Sequence, residues 1–174
     1  SEANPDGNGG FYIGRYEQGK GNVCKSGVVP YVNVTRDTAK SKAKAMYSGK
    51  NNNVVSELIS SYAWDTALNF ICQTNVGSGE GYNLSRTTSS QYGNIGTNKK
   101  ENTGAYAADN YSNIHDLLGN CWEWTTEYCS SSRYPCVSRG GIYDSSSHYA
   151  ASRNYSSSSN SHSYLSARAQ LYVK

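Results

Sequence analysis

The 174-residue chain has little to build a conventional core from. It holds one Met, two Phe and three Pro, and apolar residues make up 36% of it, among them 16 tyrosines. Disorder is not the implication, because disordered chains lack aromatics and carry high net charge. Here aromatics reach 12% and the net charge is only +3. That charge is too small for a nucleic-acid surface. Lys40, Lys42, Lys44 and Lys50 fall on one expected helix, where a solvated face explains them. No apolar run approaches the ~18 residues of a membrane span, and no signal peptide is evident. The five cysteines, Cys24, Cys72, Cys121, Cys129 and Cys136, include no C-x-x-C pair, which argues against zinc. Cys129 and Cys136 bracket a short loop and are close enough in sequence to bridge; spacing leaves this open.

What remains is Gly, Ser, Asn and Tyr around short patterned segments, the composition of a single loop-rich α+β domain over residues 1–174. "GGFYIGRYEQG" alternates, with Phe11 and Ile13 on one face, and predicts a strand ending near Gly19. "VVPYVNV" predicts a second extended piece at an edge, because of Pro30. "TRDTAKSKAKAMYSGK" predicts a helix capped by Thr35 or Asp37, with a stripe of Ala39, Ala43, Met46 and Tyr47 and a stop at Gly49. A second helical stretch is expected from about Val54 to Gln73, interrupted near Tyr62. Residues 74–110 carry few apolar side chains; a loop this long inside a domain is functional or pinned. In "NIHDLLGNCWEWTTEY", Gly119 makes a turn, then Cys121, Glu123 and Thr125 alternate against Trp122 and Trp124. The opening "SEANPDGNGGF" lacks a Met and reads as a linker end, so the domain is expected to close a longer chain.

Four stretches together resemble one family. "GFYIGRYEQG" is similar to its opening strand. "SYAWDTALNFI" matches its Trp-Asp-x-Ala-x-x-Phe helix through Trp64, Asp65, Ala67 and Phe70. "DLLGNCWEWTTEY" matches its Gly-Asn-x-Trp-Glu-Trp signature through Gly119, Asn120, Trp122, Glu123 and Trp124. Arg139-Gly140-Gly141 is similar to its Arg-Gly-Gly turn. The family is that of formylglycine-generating-enzyme-like domains, a branch of the C-type-lectin fold. The resemblance implies that fold. It also locates two departures. Catalytic members place a cysteine pair after Arg-Gly-Gly, where a thiolate binds copper. Here the matching positions are near Ser145 and Arg153 to Tyr155, without a thiol. The iron-dependent relatives need a histidine cluster, and His115, His148 and His162 are scattered. The closing Gly-Phe-Arg becomes Ser166-Ala167-Arg168. The resemblance therefore implies a non-enzymatic protein, with a divergent oxidase as the rival reading and a structural lectin-like domain as a third.

From Gly140 to Ala169 there is no Lys, Glu, Gln, Met or Trp, although the preceding chain uses these about once in six residues. None of the five has a codon ending in a pyrimidine. Codons that began as AAC or AAT, with adenines replaced at random, yield Asn, Ser, Tyr, His, Asp, Gly, Ala or Arg, and never those five. This pattern resembles the variable proteins of diversity-generating retroelements, which display such a segment on the same scaffold at a phage tip or a bacterial surface. The resemblance implies a protein or glycan ligand and a face made of Ile142, Asp144, Ser146, His148, Tyr149, Ser152, Asn154, Tyr155, Asn160, His162 and Tyr164. Arg139, Arg153, Arg168, Trp122 and Trp124 are expected in the frame instead. By position, the formylglycine-generating relatives further imply a structural calcium held by the Asp116 and Glu123 side chains and the Gly119 and Cys121 carbonyls.

Overall fold

A computed structural model describes residues 10–47, 53–74, 84 and 86–173. Its ends meet. Strand β1 (Phe11–Ile13) and strand β2 (Val54–Leu58) flank the last strand, β9 (Ala169–Val173), in one antiparallel sheet. Phe11 lies opposite Tyr172, and Leu58 opposite Ala169. β1 ends at Ile13, although the Gly14 N–H still reaches the Ala169 carbonyl. The expected extended piece around Pro30 contributes only an isolated bridge to Gly19.

Helix α1 (Arg36–Met46) starts where Thr35 accepts a hydrogen bond from the Thr38 N–H. It buries Arg36, Ala39, Ala43 and Met46 and leaves Lys40, Lys42 and Lys44 exposed. The expected stop at Gly49, and Lys50, lie outside the described residues. Helix α2 (Ser61–Thr74) buries Ala63, Trp64, Ala67, Leu68 and Ile71. Val54–Leu58 is a strand, not the first half of a helix. The i, i+4 spacing of Val54 and Leu58 fits both periods. Pairing with β9 decides the matter, and β-branched residues suit it.

Residues 86–109 form no regular element, yet they are tied down. The Gly104 N–H donates to Asp116, Thr103 Oγ1 donates to the Lys25 carbonyl at 2.6 Å, and Asn94 Nδ2 donates to Asn120 Oδ1 at 3.0 Å. The chain then forms the short hairpin β3 (Asn110–Tyr111) and β4 (Ile114–His115). A second sheet follows in the order β7-β6-β5-β8: β5 (Trp122–Tyr128), β6 (Cys136–Arg139), β7 (Arg153–Ser156) and β8 (Leu165–Ala167). β8 runs parallel to β5, and the rest is antiparallel.

Two apolar clusters result. α2 packs Trp64, Leu68 and Ile71 against Ile95, Leu117 and Leu118. α1 packs against Trp122, Trp124, Leu165 and Ala167. The two fully buried indoles find acceptors: Trp64 Nε1 donates to the Ala150 carbonyl, and Trp124 Nε1 to that of Val34, as buried indoles require. Two turns depend on glycine. Gly119, at φ +90°, has the Asn94 carbonyl oxygen 2.0 Å from where a Cβ would sit. Gly140, at φ +97°, lies under the Trp64 ring. None of the five cysteines is in a disulfide.

Candidate functional site

The frame around residues 140–169 is set by two arginines. Arg139 is fully buried at the end of β6, and its guanidinium bonds Asp65 of α2. Arg168 sits between β8 and β9. It grips the Glu123 carboxylate through Nε at 2.9 Å and Nη2 at 2.6 Å, and its Nη1 and Nη2 reach the Gly14 and His115 carbonyls. Trp122 and Trp124 are buried, as expected of frame residues. Arg153 is partly exposed but bonded to Asp65 and Glu127.

Between these brackets the segment divides. Asp144, Ser146, Tyr149, Tyr155 and His162 are exposed, with Tyr149 at 42% and Tyr155 at 50%. His148, Ser152, Asn154, Asn160 and Tyr164 are half-buried. Ile142 corrects the expected face. It is 6% exposed and packs in the α1 cluster with Trp122 and Leu165, because the Gly140-Gly141 turn directs the next side chain inward. Ser152 also serves the backbone: its Oγ accepts the Tyr149 N–H at 2.7 Å, and its own N–H donates to the Tyr149 carbonyl.

The exposed positions form two patches rather than one face. The first surrounds the edge of Trp122. His148 meets that indole edge-on, with ring centroids 4.8 Å apart, and His162 stacks on Tyr164 at 4.9 Å. Burial lowers the His148 pKa, opposed by Asp144. This patch has a wall that sequence reasoning did not place there, the loop 94–100. The Asn98 N–H donates to the Tyr143 carbonyl, Lys100 Nζ donates to that of Ser163, and Gly96 lies against Ser146. The sequence marked residues 74–110 as functional or pinned, with nothing to say against what. The second patch is on β7. Successive strand residues point oppositely, so Arg153 and Tyr155 face α2, while Asn154 and Ser156 turn to the other side of the sheet.

Beneath the frame lies a buried acidic group: Glu17, Asp109, Asp116 and Glu123, with Arg168. Glu17 accepts the Cys121 N–H and Asn120 Nδ2. Burial and the neighbouring carboxylates push its pKa well up, and Asp109 rises for the same reasons. Of the positions implied for calcium, Glu123 offers it no free oxygen, while Asp116 keeps Oδ1 without a partner. Both Glu123 oxygens are taken by Arg168, Asp116 Oδ2 accepts the Gly104 N–H, and the Cys121 N–H is bound to Glu17. A cation using Glu123 would displace a buried guanidinium, whereas calcium needs six or more free oxygens.

No protein-family model matches the chain, and no curated protein matches it in sequence. Solved structures do. The structure of CarF superposes with a TM-score of 0.62 at 14% identity, over 82% of this chain and 68% of that one. Variable protein 1 of Treponema denticola gives 0.52 at 15% identity, over 88% of this chain and 77% of that one. The fold is the C-type-lectin-like fold of variable proteins. At these identities the likeness establishes architecture: two helices, small sheets and long loops.

Two outcomes are expected. Burial, opposed by the Gly104 N–H and Arg168, raises the Asp116 pKa from 3.8 to about 6. A raised carboxyl favours folding below its unfolded value, and that contribution is lost as pH rises through the folded value. Asp116 thus costs the fold about 3 kcal/mol between roughly pH 4 and pH 6. Asp116→Asn keeps an acceptor for Gly104, and Asn tolerates the positive φ. Urea unfolding at pH 4 and pH 7 should show a smaller loss for this variant than for the parent chain. Secondly, calcium or a chelator should leave the melting temperature unchanged; a rise with calcium would mean that the native state binds it.

Proposed function

We propose that this chain is a non-enzymatic ligand-binding protein, and that residues 140–169 are its diversified display segment. The carrying observation is the contrast within that segment. Its brackets, Arg139 and Arg168, are fully buried and bonded into the frame, while Asp144, Ser146, Tyr149, Tyr155 and His162 between them reach solvent. The composition supports the same reading. Tyr offers contact area with two torsions to freeze, and Ser and Asn adapt their hydrogen bonds. A protein or glycan on a cell surface is the partner in this reading, with the chain on a phage tip or a bacterial surface. The likeness to variable proteins supports it at the level of fold.

Chemistry at the site favours binding over oxidation. Burial pushes the Cys121 thiol well up, with Glu17 adding to the effect, and burial raises Cys136 too. A thiol shifted this way is a poor nucleophile and metal ligand. Neither cysteine is in the segment after Gly141.

The DNA flanking the gene tests the diversification. A near-identical repeat differing only at adenines, beside a reverse transcriptase, is expected; its absence would leave a fixed binder. The display role has its own test. Tyr149→Ser combined with Tyr155→Ser should move stability by no more than about 0.5 kcal/mol per site and weaken any captured ligand. Tyr164 is not in that pair, because it packs on the α1 cluster. Unfolding of the double variant would make these tyrosines scaffold.

A further inference from the structure

A cleft of about 470 Å³ opens between the start of α2, the end of β5 and β7. Its size is that of small-ligand sites. Two carboxylates converge in it, Asp65 from α2 and Glu127 from β5, and a guanidinium lies between them. Arg153 Nε approaches the Glu127 oxygens at 3.3 and 3.2 Å, and its Nη2 meets Asp65 Oδ2 at 2.9 Å. Arg139, buried behind, takes the other Asp65 oxygen and also reaches Oδ2 at 3.4 Å. The Tyr62 ring, 59% exposed, stands in the lining.

We propose that the Asp65–Glu127 wall of this cleft is a guanidinium-recognising site, occupied here by the chain's own Arg153, so that residue 153 decides whether a partner's arginine side chain binds there. The inference rests on residues 140–169 being the display segment. Asp65, Glu127 and Tyr62 lie outside that segment, and residue 153 lies inside it. The pocket walls are then constant, while their occupant lies inside the segment by sequence although its bonds tie it to the frame.

Charge and geometry carry the argument. With Arg153 present, Asp65 and Glu127 are balanced by Arg139 and Arg153. Without it, Glu127 loses its cation and Asp65 Oδ2 keeps only the 3.4 Å bond from Arg139, leaving an acidic cleft already shaped around a planar fork. A guanidinium satisfies two carboxylates at once, whereas an ammonium is a point charge. An exposed tyrosine face adds attraction for a cation. A short polar residue at 153, such as the Ser or Asn abundant in this segment, opens the pocket to an arginine from outside.

The test uses the full chain with methylguanidinium and methylammonium as probes, followed by backbone amide NMR. Arg153→Ser should bind methylguanidinium at least about ten-fold more tightly than the parent chain, with shifts at Ser61, Tyr62 and Thr126. Methylammonium should bind less well, and added salt should weaken both. Glu127→Gln in the Ser variant should remove the gain. Arg153→Asn repeats the test if the Ser variant does not fold. Equal titrations for parent and variant, shifts elsewhere, or a gain that survives Glu127→Gln would overturn the pocket. These results do not depend on the gene's flanks: a missing template ends the diversification reading alone, and a null titration ends the pocket alone.

Discussion

The buried pair of Arg168 and Glu123 ties this structure together. Glu123 belongs to β5, in the middle of the second sheet. Arg168 stands at the step from β8 to β9, where the chain leaves that sheet and enters the first. Its remaining bonds go to the backbone after β1 and at the end of β4. One side chain thus fixes both sheets and the β3–β4 hairpin. Both partners are fully buried, and removing either would leave an unpaired buried charge, typically a loss of 3–5 kcal/mol. The neighbouring Asp109, Asp116 and Glu17 make the guanidinium harder still to give up, since each adds its field to that of Glu123 around it. Their carboxyl groups respond by holding their protons more tightly.

That constraint explains how a polar, tyrosine-bearing stretch can follow a folded core without unravelling it. The stretch leaves the frame at Arg139 and returns at Leu165, where β8 adds a parallel edge to β5. Part of the intervening order comes from backbone hydrogen bonds, in the pairing of Arg153–Ser156 with β6 and where the Ser152 N–H meets the Tyr149 carbonyl, and part from frame side chains that grip its backbone, Trp64 at Ala150 and Lys100 at Ser163. Backbone hydrogen bonds do not depend on side-chain identity. A segment ordered in this way tolerates exchange at its outward positions, and a close-packed one does not. Ile142 marks the boundary, lying within the segment by composition and within the core by packing.

The parts of this architecture legible in the sequence were those set by local pattern. The α1 stripe of Ala39, Ala43 and Met46, its Thr35 cap and the alternation around Trp122 and Trp124 each follow from a few neighbouring residues. Val54–Leu58 was misread because its spacing fits helix and strand alike, and its partner β9 lies more than a hundred residues away. The split of the display positions into two patches was hidden for a related reason. The pleat separates Asn154 from Tyr155, and its phase is set by β6, not by residues 153–156. The loop 94–100 gave no periodic signal, since its place beside Tyr143 and Ser163 rests on single hydrogen bonds. For the calcium expectation, the motif showed the right carboxylates, but not that Arg168 had already taken one of them.

A binder that varies must keep some of its surface constant, or each new version would face the folding problem afresh. On the proposed reading, this chain separates the two by origin. In that reading the constant wall of the first patch is the loop 94–100, where Lys99 pairs with Glu101 and Lys100 donates to the Ser163 carbonyl, and that of the second is Asp65 with Glu127, so the two patches begin from different charge. Exposed charges steer approaching partners, and a close mismatch of sign rejects the wrong ones. The displayed residues then adjust a preset bias: Asp144 and His148 beside the basic loop, Arg153 between the carboxylates. Selectivity in a protein of the proposed kind resides in the combination of a fixed charge and a variable neighbour, and Arg153, paired with Asp65 and Glu127, is the place where such a bias would be cancelled instead of used.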